Sequence, residues 1–233
     1  MSISLRYEDI VSNMGDFTFH ILGCGAIGSS TAIQLARMGA ENFYLYDMDT
    51  VEIHNVGVSQ FIMADIGMYK VDALANHIHD VSAMIVGEEA MDTIASVYKI
   101  NGRFENKGYQ YTGMNDIVVL GFDSMQARLD AVKIICRDSK LSPELIIDGR
   151  MGAEHFQQYA IKKPTISKYE KIWYSDADGD PEPCTAKATS YCSNIAGSFI
   201  VNCIRKIITD QPYNARFSIH LPTLSLDKSK LIS

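Results

Sequence analysis

Apolar residues along this chain fall into two kinds of run, short unbroken ones and longer ones with helical spacing, and the two kinds alternate. Phe17 to Leu22 is a short apolar run ending in glycines, as a buried parallel strand does. Helix-forming residues follow from 28 to about 38 and stop at Gly39. NFYLYD is a second strand, and Val71, Leu74, Ala75 and Ile78 then share one helical face. DIVVLGFD reads as another buried strand, followed by the helical stripe Met125, Leu129, Val132 and Cys136. ELIIDGRMGA and HFQQYAI predict two more strands. Residues 163 to 183 are polar, with Pro164, Gly179, Pro181 and Pro183, which predicts a long crossover loop reaching to about 185. A broad apolar face from Ile195 to Ile208 predicts a helix after it, and FSIHL a last strand. Strands alternating with helices predict an α/β fold, a doubly wound and mainly parallel sheet with an antiparallel extension. No repeat or linker interrupts residues 1–233, so one domain is expected.

Composition narrows the classes. A net charge of -7 argues against a nucleic-acid partner, whose phosphates need a basic surface. No apolar run approaches the roughly 20 residues that span a bilayer, and no signal-peptide core precedes the glycines, so a cytoplasmic protein without membrane partners is expected. The five cysteines, at 24, 136, 184, 192 and 203, form no C-x-x-C pair and predict neither a disulfide framework nor a zinc site. Cys136, Cys192 and Cys203 fall on apolar helix faces and are expected in the core, and Cys24 packs within the glycine loop. His77 and His79, two apart on a helix, point to different faces and are not a metal pair. DADGDPEP is not a calcium loop, because Pro181 stands where the turn requires glycine.

Gly23, Gly25 and Gly28 form G-x-G-x-x-G between a strand and a helix. The first allows the tight turn, the second a close approach of phosphate, and the third close packing of helix on strand. Phosphate would rest on the N–H groups of the helix start. Asp47 ends the next strand about twenty residues later, where its carboxylate can accept ribose hydroxyls. This much fits NAD and ATP equally, so a hydride-transferring oxidoreductase remains open.

After the acid come YDMDTVEIHNVGVSQF, Lys70 and GFDSMQAR. With the glycine loop, the series Asp47, Asp49, Val51, Asn55, Gln60, Gly67, Lys70, Asp123 and Arg128 resembles the ThiF/MoeB/HesA adenylyltransferases of the ubiquitin-activating-enzyme superfamily. The resemblance runs from about residue 17 to 208 and implies a Rossmann-like sheet, ATP and Mg²⁺ as cofactors, and a homodimer. It implies adenylylation of a carboxylate, that of the C-terminal glycine of a small ubiquitin-like or sulfur-carrier protein. In that chemistry Lys70 is the phosphate cation, Asp123 holds Mg²⁺, and Asn55 and Gln60 orient oxygens. Asp47 holds ribose and Asp49 lines the phosphate and metal region. The chain departs from the family at Val58 and Ser59, where relatives carry an arginine before the glutamine. Asp9 stands where a second arginine is usual, and Arg6 and Arg150 are candidates to supply the charge. The paired-cysteine zinc motif of many relatives is absent. Cys184-Thr185-Ala186-Lys187 is similar to the C-T-x-K/R in which relatives place a thioester-forming cysteine. A helix start and Lys187 both favour the Cys184 thiolate. A nucleotide-binding docking protein without catalysis is the remaining alternative.

Overall fold

The computed structural model describes residues 10, 13–86, 95–178 and 188–229. β1 (Thr18–Leu22) pairs parallel with β2 (Asn42–Asp47) on one side and with β4 (Asp116–Leu120) on the other. β3 (Ser96–Asn101) lies outside β2 and β5 (Leu145–Gly152) outside β4, both parallel to their neighbours. Beyond β5 the sheet continues antiparallel through β6 (His155–Lys162), β7 (Arg216–His220) and β8 (Ser225–Ser229). Among the described residues the order is therefore β3-β2-β1-β4-β5-β6-β7-β8. The chain leaves β1 toward β2 and β3, then returns to the other side of β1 at β4. Such a reversal opens a crevice at the carboxyl ends of the strands, where ligands of open α/β sheets bind.

Helices cover both faces of the sheet, and α2 (Ile53–Val56) and α4 (Phe104–Lys107) are single turns in its connections. α1 (Ala26–Arg37), α3 (Lys70–Val86) and α7 (Ser190–Ile208) bury Leu35, Leu74, Ile78, Ile200 and Ile204 against Phe19, Ile21 and Leu45. α5 (Met125–Ile135) and α6 (Ile166–Glu170) bury Leu129, Val132, Ile135 and Tyr169 against Leu22, Val118 and Leu120. Each such side chain is worth about 1.5–3 kcal/mol, which favours apolar residues on both faces at Ile21 and Leu22 of β1 and along Ile117–Leu120 of β4. The predicted helical stripes are therefore buried, Cys192 and Cys203 with them, whereas Cys136 is only half-buried at the end of α5. Among the described residues no helix is long and apolar enough to cross a membrane.

Two features differ from the expected pattern. The crossover expected as loop from 163 contains α6, because Thr165 caps its start by accepting the Lys168 N–H at 3.2 Å and Tyr169 is fully buried. β3 and β8 carry no apolar run and join the sheet through main-chain pairing at its two edges.

A buried polar cluster lies under the β1–β4 pair. The Asp116 carboxylate accepts the Tyr109 hydroxyl at 2.6 Å, the Thr112 N–H at 2.9 Å and the Thr112 hydroxyl. The fully buried His20 ring lies with Nε2 3.3 Å from that carboxylate, out of line for a hydrogen bond, and Nδ1 3.3 Å from the Tyr46 hydroxyl. Burial holds the imidazole below its ordinary value of 6.5, against the pull of Asp116. Asp116→Ala removes the acceptor of the half-buried Tyr109 hydroxyl and of two donors on the exposed Thr112, and is expected to cost about 1–2 kcal/mol in chemical denaturation. Unfolded His20 takes up a proton that folded His20 resists, so stability falls as pH drops below about 6.5. Thermal melts between about pH 7.5 and about pH 5 check this, and a melting temperature that rises on acidification would contradict it.

Candidate active site

A cavity of about 690 Å³ opens at the carboxyl ends of β2, β1, β4 and β5, within the range of small-molecule sites. Gly23 turns the chain out of β1 with φ +92°, and a Cβ there would lie 2.8 Å from the Gly121 carbonyl carbon. Gly28 packs against that turn, where a Cβ would come within 1.9 Å of the Gly23 oxygen, and it does not line the cavity. Gly25 lines the cavity and a Cβ on it would meet only open space. As the N-cap of α1 it offers no side chain to the helix start. Main-chain donors there are left for a ligand, which is how such loops hold phosphate.

Asp47 ends β2 beside this loop. Its Oδ2 accepts the Cys24 N–H at 2.7 Å and its Oδ1 the Asp49 N–H at 2.9 Å, so it braces the loop as well as facing the cavity. Burial pushes its carboxyl above the ordinary value, with Lys70 and the two N–H groups opposing. Lys70 starts α3 and sets Nζ 2.9 Å from Asp49 Oδ2. Burial works against its charge, but Asp47 and Asp49 outweigh it and hold the ammonium above its usual value. Asp49, Lys70 and Asp47 thus form one charged wall.

The opposite wall begins at Asp123, which is exposed to the cavity in the loop after β4. Arg128, one turn into α5, holds that loop from beneath. Its Nη1 donates to the Leu120 carbonyl at 3.1 Å and its Nη2 to the Phe122 carbonyl. Arg128, the last residue of the series that carries the resemblance, is thus buried and braces the loop. Arg128 and Arg150 both pair with Asp148, which is fully buried. Burial opposes the Asp148 charge, but the two guanidinium groups outweigh it and hold the carboxyl below the usual range.

Asn55 lines the cavity, with its Oδ1 accepting the Glu52 N–H at 2.8 Å. Gln60 does not line it. Its Nε2 donates to Asn194 Oδ1 at 2.8 Å and its N–H to Ser29 Oγ at 3.1 Å, pinning the turn to α7 and α1. Cys184 and Lys187 lie outside the described residues, as do Arg6 and Asp9. Sequence reasoning missed Asp176, whose carboxylate accepts the Met125 N–H at 2.8 Å and caps α5 from the crossover segment. It also missed Arg103, Phe104 and Tyr174 along the cavity rim.

Among the described residues no three His, Cys, Asp or Glu side chains group as a metal site. Mg²⁺ is commonly held by one or two carboxylates together with substrate phosphates, so a lone exposed Asp123 beside a phosphate loop fits that ion.

The chain belongs to the ThiF family, which it matches over residues 4–231. It is 28% identical over 145 residues to the ubiquitin-like modifier-activating enzyme 5 of Culex quinquefasciatus, covering 61% of this chain and 35% of that protein. The protein of the same name from Arabidopsis thaliana is 30% identical over 146 residues, covering 58% of this chain and 34% of its own length. The chain thus spans about a third of the length of these relatives. Among solved structures, E. coli MccB with ATP superposes with a TM-score of 0.70 at 17% identity, over 95% of this chain and 66% of MccB. That likeness concerns the fold.

Proposed function

We propose that this chain uses ATP to activate a carboxylate as an acyl-adenylate, the carboxylate being the C-terminal glycine of a small ubiquitin-like or sulfur-carrier protein. One observation carries the reading. A single cavity brings together the uncapped glycine-loop helix, the Lys70–Asp49 pair and the exposed Asp123. Hydride transfer has no use for the last two, whereas attack on a phosphate needs both a cation and a metal-holding carboxylate. Membership of the ThiF family supports the same reading.

In this mechanism a carboxylate oxygen attacks the α-phosphorus of ATP as the bond to the bridging oxygen breaks, and pyrophosphate leaves with that electron pair. Asp47 accepts ribose hydroxyls, the N–H groups at the start of α1 receive phosphate oxygens, and Lys70 balances charge that moves onto the leaving group. Magnesium, held by Asp123 together with the phosphates, would add its own neutralisation of that charge. Gln60 acts at one remove, by fixing the turn that presents Asn55. A homodimer belongs to the proposal, supported by Ile53, Ile62, Met63 and Ile66, which are exposed along one segment beside the cavity.

The test is ATP–pyrophosphate exchange with a peptide ending in Gly-Gly. Exchange that requires the peptide supports the reading. ATP binding without exchange, across such peptides, favours the non-catalytic docking protein. A second step is proposed in which the Cys184 thiolate attacks the acyl carbonyl, expels AMP and forms a thioester. Cys184→Ala is expected to keep exchange and to lose any reductant-sensitive adduct with the carrier. Cys192→Ala, at a buried position, is expected to keep both. An adduct that survives in Cys184→Ala places the nucleophile elsewhere.

A further inference from the structure

We propose that Arg150 is the carboxylate-binding residue of this cavity, receiving the free terminal carboxylate of the second substrate on N–H groups that Asp148 leaves unused. The proposal rests on the adenylation reading and deepens it.

Strand register sets the layout. Leu22 pairs with Tyr46 on one side and Leu120 on the other, and Leu120 pairs with Asp148. One residue further on, Asp47, Gly23, Gly121 and Gly149 therefore form a row across the strand ends, and Arg150 stands just past it on β5. Strands lie about 4.8 Å apart, so the cavity spans roughly 15 Å from Asp47 to Arg150. The groups suited to a nucleotide, Asp47, the glycine loop and the Lys70–Asp49 pair, all sit toward β2 and β1. Asp123 lies over β4, in the middle. The β5 end carries neither a ribose acceptor nor a phosphate loop; Arg150 faces the cavity there, and the nearby Asp176 carboxylate is taken up by the Met125 N–H at the start of α5. The molecule that reacts with the nucleotide must approach from this side.

Charge and geometry agree. Arg128 and Arg150 share the one carboxylate of Asp148, which leaves one positive charge in excess in a buried site. Arg128 also borders the cavity and leaves Nε–H and one Nη2–H without an acceptor among the described residues, but its Nε is fully buried and its terminal nitrogens are committed to Asp148 and to the Leu120 and Phe122 carbonyls that hold the loop. Arg150 donates Nε–H and one Nη2–H to Asp148 at 3.0 and 2.6 Å, and one Nη1–H to the Ile172 carbonyl at 3.0 Å. A guanidinium has five N–H groups, so one on each terminal nitrogen has no acceptor among the described residues. The group is also fixed in place, lying 4.4 Å from the Tyr159 ring centre and 4.9 Å from that of Tyr174. A guanidinium ordered before the ligand arrives loses little entropy on binding, and its planar fork matches a carboxylate. Phosphate is the competing anion, and the experiment separates the two.

Affinity is measured for a Gly-Gly-ended peptide with a free carboxylate and for the same peptide as its C-terminal amide, both with a non-hydrolysable ATP analogue present. Wild-type protein is expected to prefer the carboxylate by about tenfold or more. In Arg150→Met that preference falls to about one while affinity for the analogue stays within about twofold, a double difference that a merely structural role would not produce. If the buried Asp148 prevents Arg150→Met from folding, as its thermal melt will show, Arg150→Lys decides, since it keeps the charge and loses the fork. There the preference is expected to drop severalfold. An unchanged preference in the folded variant overturns the proposal, as does a loss confined to analogue affinity, which would assign Arg150 to the phosphates. A wild-type protein that performs exchange without preferring the carboxylate also overturns it. A wild-type protein with no exchange sinks the adenylation reading itself.

Discussion

Lys70→Ala is expected to lower kcat/KM for ATP in pyrophosphate exchange by two to three orders of magnitude, about 3–4 kcal/mol. The side chain is only 12% exposed and stands between two carboxylates, so its ammonium is fixed and charged throughout the working pH range. Removing it withdraws a cation from the phosphates. It also leaves Asp47 and Asp49 facing the cavity without a counter-charge, and their negative field then opposes ATP. Steady-state exchange at varied ATP, with thermal melts as the control for folding, measures the effect. Unchanged ATP kinetics would reduce Lys70 to a counter-ion for Asp49.

Asp123→Ala is expected to lower exchange by at least about a thousandfold at every magnesium concentration, while the protein stays folded. Its carboxylate is exposed and, among the described residues, engaged in no hydrogen bond or ion pair, so removing it should change stability by no more than about 0.5 kcal/mol. The loop itself is held by Arg128 through the Leu120 and Phe122 carbonyls, and those contacts survive the substitution. A large loss of activity at constant stability is the signature of a group kept for chemistry. Full activity would remove Asp123 from the site.

The strands at the centre of the sheet were legible because burial on both faces demands unbroken apolar runs, as in IVVL of β4 and LII of β5. β3 and β8 were not, since an edge strand exposed on its faces can be polar and still pair through its main chain. α6 has five residues, too few to show a helical period, and only Pro164 and the Thr165 cap mark its start. At the site, the glycine loop could be read in advance because its roles follow from missing side chains. Lys70 and Asp123 were marked by the resemblance to the adenylyltransferase series, and both line the cavity. Arg150 was harder to assign, because its partners Asp148, Ile172, Tyr159 and Tyr174 converge only when β5, β6 and the crossover meet. Gln60 was expected to orient substrate oxygens, and its amide instead reaches Asn194, a neighbour that exists only because α7 packs on α1. Asp176 lay within a run that resembles a calcium loop, and its function as a cap depends on the start of α5 51 residues earlier.

The central claim is that a carboxylate oxygen bonds to the α-phosphorus of ATP in this cavity. The direct measurement uses a Gly-Gly-ended peptide labelled with ¹⁸O in its terminal carboxylate, incubated with the protein, ATP and magnesium, with AMP and phosphate products analysed by mass spectrometry. When a nucleophile later cleaves the acyl-adenylate at its carbonyl carbon, the bridging oxygen stays on phosphorus, so one ¹⁸O is expected in AMP and none in pyrophosphate. Label in inorganic phosphate with ADP as the other product, or AMP free of label, would contradict the account.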